Sequence, residues 1–283
     1  MRMIVVQERT APLLLSIPHS GSRIPPAIER RMTATGRLQT DLAWHVDSLF
    51  EFAADMDVTV VRTPVSPLVI DVDADPASAS APDGGLAPAL CALETLDGKR
   101  LYQPEEDPGP VEIEERRRLF HAPYHDALAQ QVARLRAMHR RIVVLDAQSM
   151  RSRIKGVFDG ELPLFTVGTR HGRSCHEDVA AILADTGHDL PGASHAENDL
   201  FPGGWIVRSY GRPQEGIHAA ALTIAQRAYL KHETPPFEPD KEKARRLKAA
   251  LRQTLLALIG WARGEAAAPA RELLGPLPDM MIR

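Results

Sequence analysis

The chain has 283 residues, 44% of them hydrophobic, with 34 Lys and Arg against 37 Asp and Glu for a formal net charge of -3, so it can build a sizeable core and has no overall charge that would favour nucleic acid. The apolar run in the opening MRMIVVQERT is far shorter than a secretory leader, and no stretch approaches the ~18 apolar residues of a membrane span. These readings predict a cytoplasmic protein without membrane or nucleic-acid partners; they say nothing of the oligomeric state.

Taken in chain order, Leu13 to Ile17 (LLLSI) reads as a buried strand. Val46, Leu49, Phe50 and Ala53 fall at i, i+3, i+4 and i+7 and predict an amphipathic helix, followed by a strand over 58–62. Residues 67–72 (PLVIDV) predict a further buried strand. Residues 73–109, rich in Ala, Pro, Asp and Gly, read as a long surface excursion near the site. Tyr124, Leu128, Val132 and Leu135 mark a second amphipathic helix that Pro123 kinks or starts, and 141–146 (RIVVLD) mark a strand. Ser174 and Glu177 have capping-box spacing for a helix to about Ala184. Asp240 can cap a last helix whose Leu247, Leu251, Leu255 and Leu258 form a core stripe. Short apolar runs alternating with helical patterns predict a single α/β domain over 1–265, a central mixed sheet flanked by helices, with a loosely packed tail at 266–283.

Cys91 and Cys175, the only cysteines, can build neither a disulfide framework nor a four-cysteine metal site, so any metal must be held by His, Asp or Glu. Ligands of open α/β sheets collect beyond the carboxyl ends of the strands. Four polar groups fall near such positions: Pro18-His19-Ser20-Gly21; Asp71 with Asp73; Asp146-Ala147-Gln148-Ser149; and Asp41, His45 and Asp47 at the first helix. An imidazole at a strand end, followed by the small Ser20 and Gly21, can reach a metal while leaving room for substrate. Taken alone, His19 reads more readily as a turn residue and Asp47 as a solvated carboxylate. Asp47 and His45, two apart on a helix, point in different directions.

The order PHSGSRIPP, DLAWHVDSLFEF, SPLVIDVD, PYHDAL, VVLDAQSMRS with FDGELPLFTVGT, and FPGGWIVRSYGRPQEGIHAAALTIAQRAYL, from Leu13 to Leu230, resembles the N-formylglutamate amidohydrolase (N-formylglutamate deformylase) family. The resemblance implies an α/β fold similar to zinc carboxypeptidases and aspartoacylases. It also implies hydrolysis of N-formyl-L-glutamate or a related small N-acyl amino acid, a step of histidine degradation, with Zn2+ as the expected cofactor. His19 and Asp47 match expected metal ligands, Gln148 stands at a third, and Asp146 and Asp71 are the expected catalytic carboxylates. Arg208, Ser20, Gly21, Ser149 and Gly204 are the expected substrate-binding residues.

Departures fall on the same motifs. The family's usual Asp-Ala-His-Ser is Asp146-Ala147-Gln148-Ser149, and Thr223 stands where a glutamate is expected. Pro67 and Ala74 replace two arginines. An amide oxygen is a weak zinc donor and a threonine is no carboxylate base. His171, His176 and His195 are candidate replacement ligands, each more readily read as a surface residue. His121 and His125, four apart on a helix, can pair on one face as metal ligands, whereas the resemblance at PYH implies a packing or supporting role. Two hypotheses follow: a metal-assisted amidohydrolase, or a catalytically degenerate homologue that binds a small acidic ligand or a protein partner without turnover. A serine hydrolase using Ser20 or Ser149 ranks last, since neither lies in a nucleophile elbow.

Overall fold

Among the described residues, 3–77 and 89–265 of a computed structural model, seven strands make one mixed sheet. They are β1 (Val5–Gln7), β2 (Leu13–Ile17), β3 (Thr59–Arg62), β4 (Ile142–Met150), β5 (Phe165–Gly168), β6 (His195–Glu197) and β7 (Ile217–Ala225), in the order β1-β3-β2-β4-β7-β5-β6. Strands β3, β2, β4 and β7 run parallel; β1 and β5 oppose their neighbours β3 and β7, and β6 runs parallel to β5. The carboxyl ends of the four central strands therefore share one rim. The expected α/β class with a mixed sheet is what the chain adopts. The tail at 266–283 and residues 78–88 of the expected excursion lie outside the described residues.

Strand alternation decides which side chains reach each face. Leu13, Leu15 and Ile17 of β2 and Val143, Leu145 and Ala147 of β4 pack into a core with the helix Lys241–Arg263. Leu14, Ile142 and Val144 point the other way, toward the helices Ala122–Met138 and Trp205–Tyr210. By the same period Ser16, Asp146 and Gln148 fall on this second face near the rim. In the last helix Leu247, Leu251, Leu255 and Leu258 are fully buried, and Asp240 accepts the amides of Glu242 and Lys243, as the sequence predicts.

Three elements differ from expectation. The run 67–72 is a buried loop: Leu68, Val69 and Ile70 pack in a satellite core while Arg116 Nη1 donates to the Val69 carbonyl at 2.9 Å in place of a ladder partner. The predicted first helix is one turn, Val46–Leu49, that tightens into a 3-10 segment over Glu51–Met56, although its four apolar positions are all buried. At the helix Glu177–Ala184 the cap is His176, which accepts the Asp178 amide; Ser174 lies two residues before it, its carbonyl accepting the Ala219 amide of β7 at 2.8 Å. Pro123 lies inside a continuous helical run, just after a wide π segment over Arg117–His121 that precedes its missing N–H.

Burial, reinforced by nearby histidines, pushes His125 and His218 down to about 4. The folded state thus binds fewer protons than the unfolded chain between about pH 6.5 and 4, and the stability these groups hold at neutral pH is lost as pH falls through that window. His218→Gln, which keeps an acceptor for the His176 amide, should lose about 2 kcal/mol less than the parent between pH 7 and 4.5. Urea midpoints measured at both pH values check this; equal losses would contradict it.

Candidate active site

His19 leaves the end of β2 and is fixed at its backbone by the Ala43 amide, which donates to the His19 carbonyl at 3.0 Å. Its ring bridges two elements. Nε2 lies 2.6 Å from Asp71 Oδ1 in the buried loop, and Nδ1 lies 3.1 Å from Gln148 Oε1 on β4. The Gln148 amide nitrogen then donates to two carboxylates, Asp73 Oδ2 at 2.9 Å and Asp146 Oδ2 at close range. Behind Asp146, Ser16 Oγ donates to Oδ1 at 3.0 Å and meets the Tyr124 hydroxyl at 2.9 Å. One glutamine therefore joins an imidazole to a pair of carboxylates. Thr223, paired with Gln148 in the β4–β7 register, stands beside it, so two of the sequence's departures are neighbours.

The loop bearing Asp71 and Asp73 is held from behind. His121 Nε2 donates to the Ala74 carbonyl at 3.0 Å and His125 Nε2 to the Val72 carbonyl at 2.8 Å. Asp73 itself accepts the Ile206 amide at 2.7 Å. A Cβ on Gly204 would lie 1.9 Å from Asp73 Oδ2, so that glycine is needed to admit the carboxylate. The two histidines thus hold the loop from behind, the supporting role that the resemblance at PYH implies, and not the metal-ligand pair that their helix spacing allows.

Charge in this cluster is set by burial and neighbours. Burial alone would lower the His19 pKa, but the adjoining Asp71 carboxylate and the fields of Asp73 and Asp146 raise it to about 9. Burial would likewise raise Asp71, and the His19 charge and hydrogen bond hold it below the usual range instead. Asp73 is pushed well above it by burial and the fields of Asp146 and Asp71. Asp146 is raised to about 6, mainly by burial. The arrangement is an ion pair at the rim, His19 with Asp71, in front of a deeper carboxyl pair that favours retaining a proton.

The remaining expected site residues divide between the edge of this cluster and other places. Asp47 faces Arg62 at 3.5 Å and its Oδ1 accepts the Ser48 amide, not a bond from the His19 cluster. His45 bonds to the Phe237 carbonyl, and Asp41 to Arg151 and the Leu96 amide, so the fourth polar group splits in three directions. Ser149 points to the opposite face of β4, where its hydroxyl meets Tyr229 OH at 2.7 Å; the period of two that brings Asp146 and Gln148 inward turns it away. Gly204 receives Asp73, and Arg208 pairs with Asp75 and stacks over Trp205 at 4.6 Å. Ser20 Oγ is buried beside His19 without a hydrogen-bond partner among the described residues, and Gly21 lies against the 63–65 backbone. His195 bonds to the Thr186 carbonyl, His176 caps its helix, and His171 is exposed in a turn. Ser16, Tyr124 and the Asp75 partner of Arg208 are parts of the assembly that the sequence reading did not single out. A serine interrupting the apolar run LLLSI was the available signal for the first.

Zinc sites need several lone pairs converging on one point. Both nitrogens of His19 face acceptors, the Gln148 amide presents N–H groups to the two carboxylates, and Asp47 is tied to Arg62. No group of three or more His, Cys, Asp or Glu is placed to hold an ion among the described residues. The residues present do not fit the zinc ion that the resemblance implies.

The model of the N-formylglutamate amidohydrolase family matches residues 11–230. The chain belongs to this family. It is 36% identical over 258 residues to the N-formylglutamate deformylase of Pseudomonas aeruginosa, covering 89% of this chain and 94% of that one. It is 36% identical over 253 residues to the Pseudomonas putida enzyme of the same name, covering 88% and 93%. The crystal structure of N-formylglutamate amidohydrolase from Ralstonia eutropha JMP134 superposes with a TM-score of 0.74 at 22% identity, over 93% of this chain and 99% of that one, a likeness of fold. Within this N-formylglutamate amidohydrolase family member, Gln148 and Thr223 therefore occupy a shared rim of an inherited architecture.

Proposed function

We propose that the protein hydrolyses the amide bond of a small N-formyl or N-acyl amino acid. The observation that carries this reading is the convergence of His19, Asp71, Asp146 and Gln148, drawn from three separate motifs, on one cluster at the rim of the parallel strands. Similarity along nearly the whole chain to two N-formylglutamate deformylases supports the substrate class. In the reaction a water oxygen adds to the acyl carbon and its proton passes to a carboxylate. The C–N bond then breaks as a proton reaches the leaving nitrogen, giving a carboxylic acid and a free amine. Asp71 is the carboxylate placed to take the proton, since its Oδ2 makes no hydrogen bond among the described residues. The same carboxylate can return the proton to the leaving nitrogen, while Asp146, raised to about 6 but fully buried with both oxygens engaged, acts on the site through Gln148. His19 orients Asp71 and balances its charge. Buried free thiols at Cys91 and Cys175 agree with a cytoplasmic location, and among the described residues no helix is long and apolar enough to cross a membrane.

Formate release from N-formylglutamate tests the reading. Turnover that falls at least about 100-fold in His19→Ala and in Asp71→Asn is expected. A specific observation favours a second reading, binding without turnover: Gln148 is held at both ends of its amide and Arg208 is already engaged by Asp75. Under it N-formylglutamate raises the melting temperature and is recovered intact. Absence of both formate and a thermal shift would overturn the two readings together.

A further inference from the structure

We infer that Gln148 takes the place of a metal ion at the rim of the sheet, making this a metal-independent site in which one neutral amide satisfies the imidazole and the carboxylates that a cation would otherwise join. The argument is one of donors and acceptors. A divalent cation unites an imidazole with carboxylates because every ligand gives it a lone pair. Here the same kinds of group are united by an amide that has both signs of partner: Oε1 accepts from His19 Nδ1 at 3.1 Å, while the nitrogen donates to Asp73 Oδ2 at 2.9 Å and to Asp146 Oδ2.

The orientation of that amide is determined by its surroundings. Flipping it would set an N–H against the ring N–H of His19 and an oxygen against a carboxyl pair that holds fewer protons than it has facing oxygens, so the orientation with Oε1 toward His19 is the favoured one. With the amide in place, an ion near Asp73 and Asp146 would meet N–H hydrogens, and His19 has its remaining nitrogen on Asp71 Oδ1 at 2.6 Å. Both carboxylates behind Gln148 are further committed, Asp73 to the Ile206 amide and Asp146 to Ser16. Removing the amide and supplying an imidazole in its place restores the lone pair that is missing.

The inference does not depend on hydrolysis, and the experiment separates the two. The full chain is purified from zinc-supplemented medium, its zinc is measured by elemental analysis, and melting is followed with zinc chloride and with EDTA. The parent should carry under about 0.1 zinc per chain and show no thermal shift with either reagent. Gln148→His should carry about one zinc per chain, with a melting temperature that EDTA lowers. If Gln148→His does not fold, Gln148→Glu, close in shape and adding a lone-pair donor, stands in with the same expectation. About one zinc per chain in the parent, lost in His19→Ala, would overturn the inference. So would folded Gln148→His and Gln148→Glu proteins that both remain free of zinc. Formate release by EDTA-treated parent protein upholds both the inference and the hydrolytic reading. A zinc-free protein without turnover removes only the hydrolytic reading; turnover that requires added zinc removes only the inference.

Discussion

Replacing Gly21 with alanine is expected to destabilise the fold by about 3 kcal/mol, because the new methyl has nowhere to go. Its Cβ would lie 2.4 Å from the Thr63 carbonyl oxygen, 2.5 Å from the Pro64 carbonyl carbon and 2.6 Å from the Val65 carbonyl oxygen. All three are backbone atoms, which cannot swing aside as a flexible side chain would. The turn after His19 is laid directly on this segment: the Arg23 amide donates to the Pro64 carbonyl and the Ser66 amide to the Arg23 carbonyl, each at 2.9 Å. Forcing the two apart moves the start of the loop that carries Asp71, so the 2.6 Å contact between His19 and Asp71 should weaken with the fold. Gly109→Ala provides the contrast. Among the described residues nothing beyond its chain neighbours lies within 4 Å of the added Cβ, and with φ at -79° at a helix N-cap it should cost under about 1 kcal/mol. Urea unfolding of the two variants side by side decides; equal midpoints would show that the close approach at Gly21 is not a constraint.

Gln148→Leu is expected to cost about 3 to 5 kcal/mol while changing side-chain volume little. Leucine leaves His19 Nδ1 without its acceptor and two buried carboxylates without a shared donor. Asp146 is fully buried and Asp73 is 6% exposed, so water cannot replace the lost bonds without opening the site. The same substitution at a half-exposed glutamine outside a network would be near neutral. A loss under about 1 kcal/mol in chemical denaturation would show that the amide is not the hub of the cluster.

The strands at the centre of the sheet are legible because each is an apolar run with a polar end: LLLSI and RIVVLD become the buried cores of β2 and β4. The run 67–72 has the same appearance and is not a strand. Its Val69 carbonyl is satisfied by Arg116 and Cys91, side chains tens of residues away, and nothing local in PLVIDV discloses them. Of the site, His19, Asp71, Asp146 and Gln148 could be read from motif and strand-end position. Asp47 could not be placed, since a carboxylate on a one-turn helix can face either the rim or Arg62, and the choice depends on the left-handed entry at His45, with φ at 61°. Arg208 could be recognised as a cation near the site, whereas its neutralisation by Asp75 depends on a tertiary contact across 133 residues. Pattern gives which groups are near the rim; long-range hydrogen bonding decides which of them touch.

A double-mutant cycle between His19→Ala and Gln148→Leu, read by urea unfolding, tests most directly whether imidazole, amide and carboxylates act as one unit. The geometry predicts that the two losses are strongly non-additive, with a coupling of about 1 to 3 kcal/mol, since either change breaks the same 3.1 Å contact. Losses that add to within about 0.5 kcal/mol would contradict it, placing His19 and Gln148 in energetically separate surroundings.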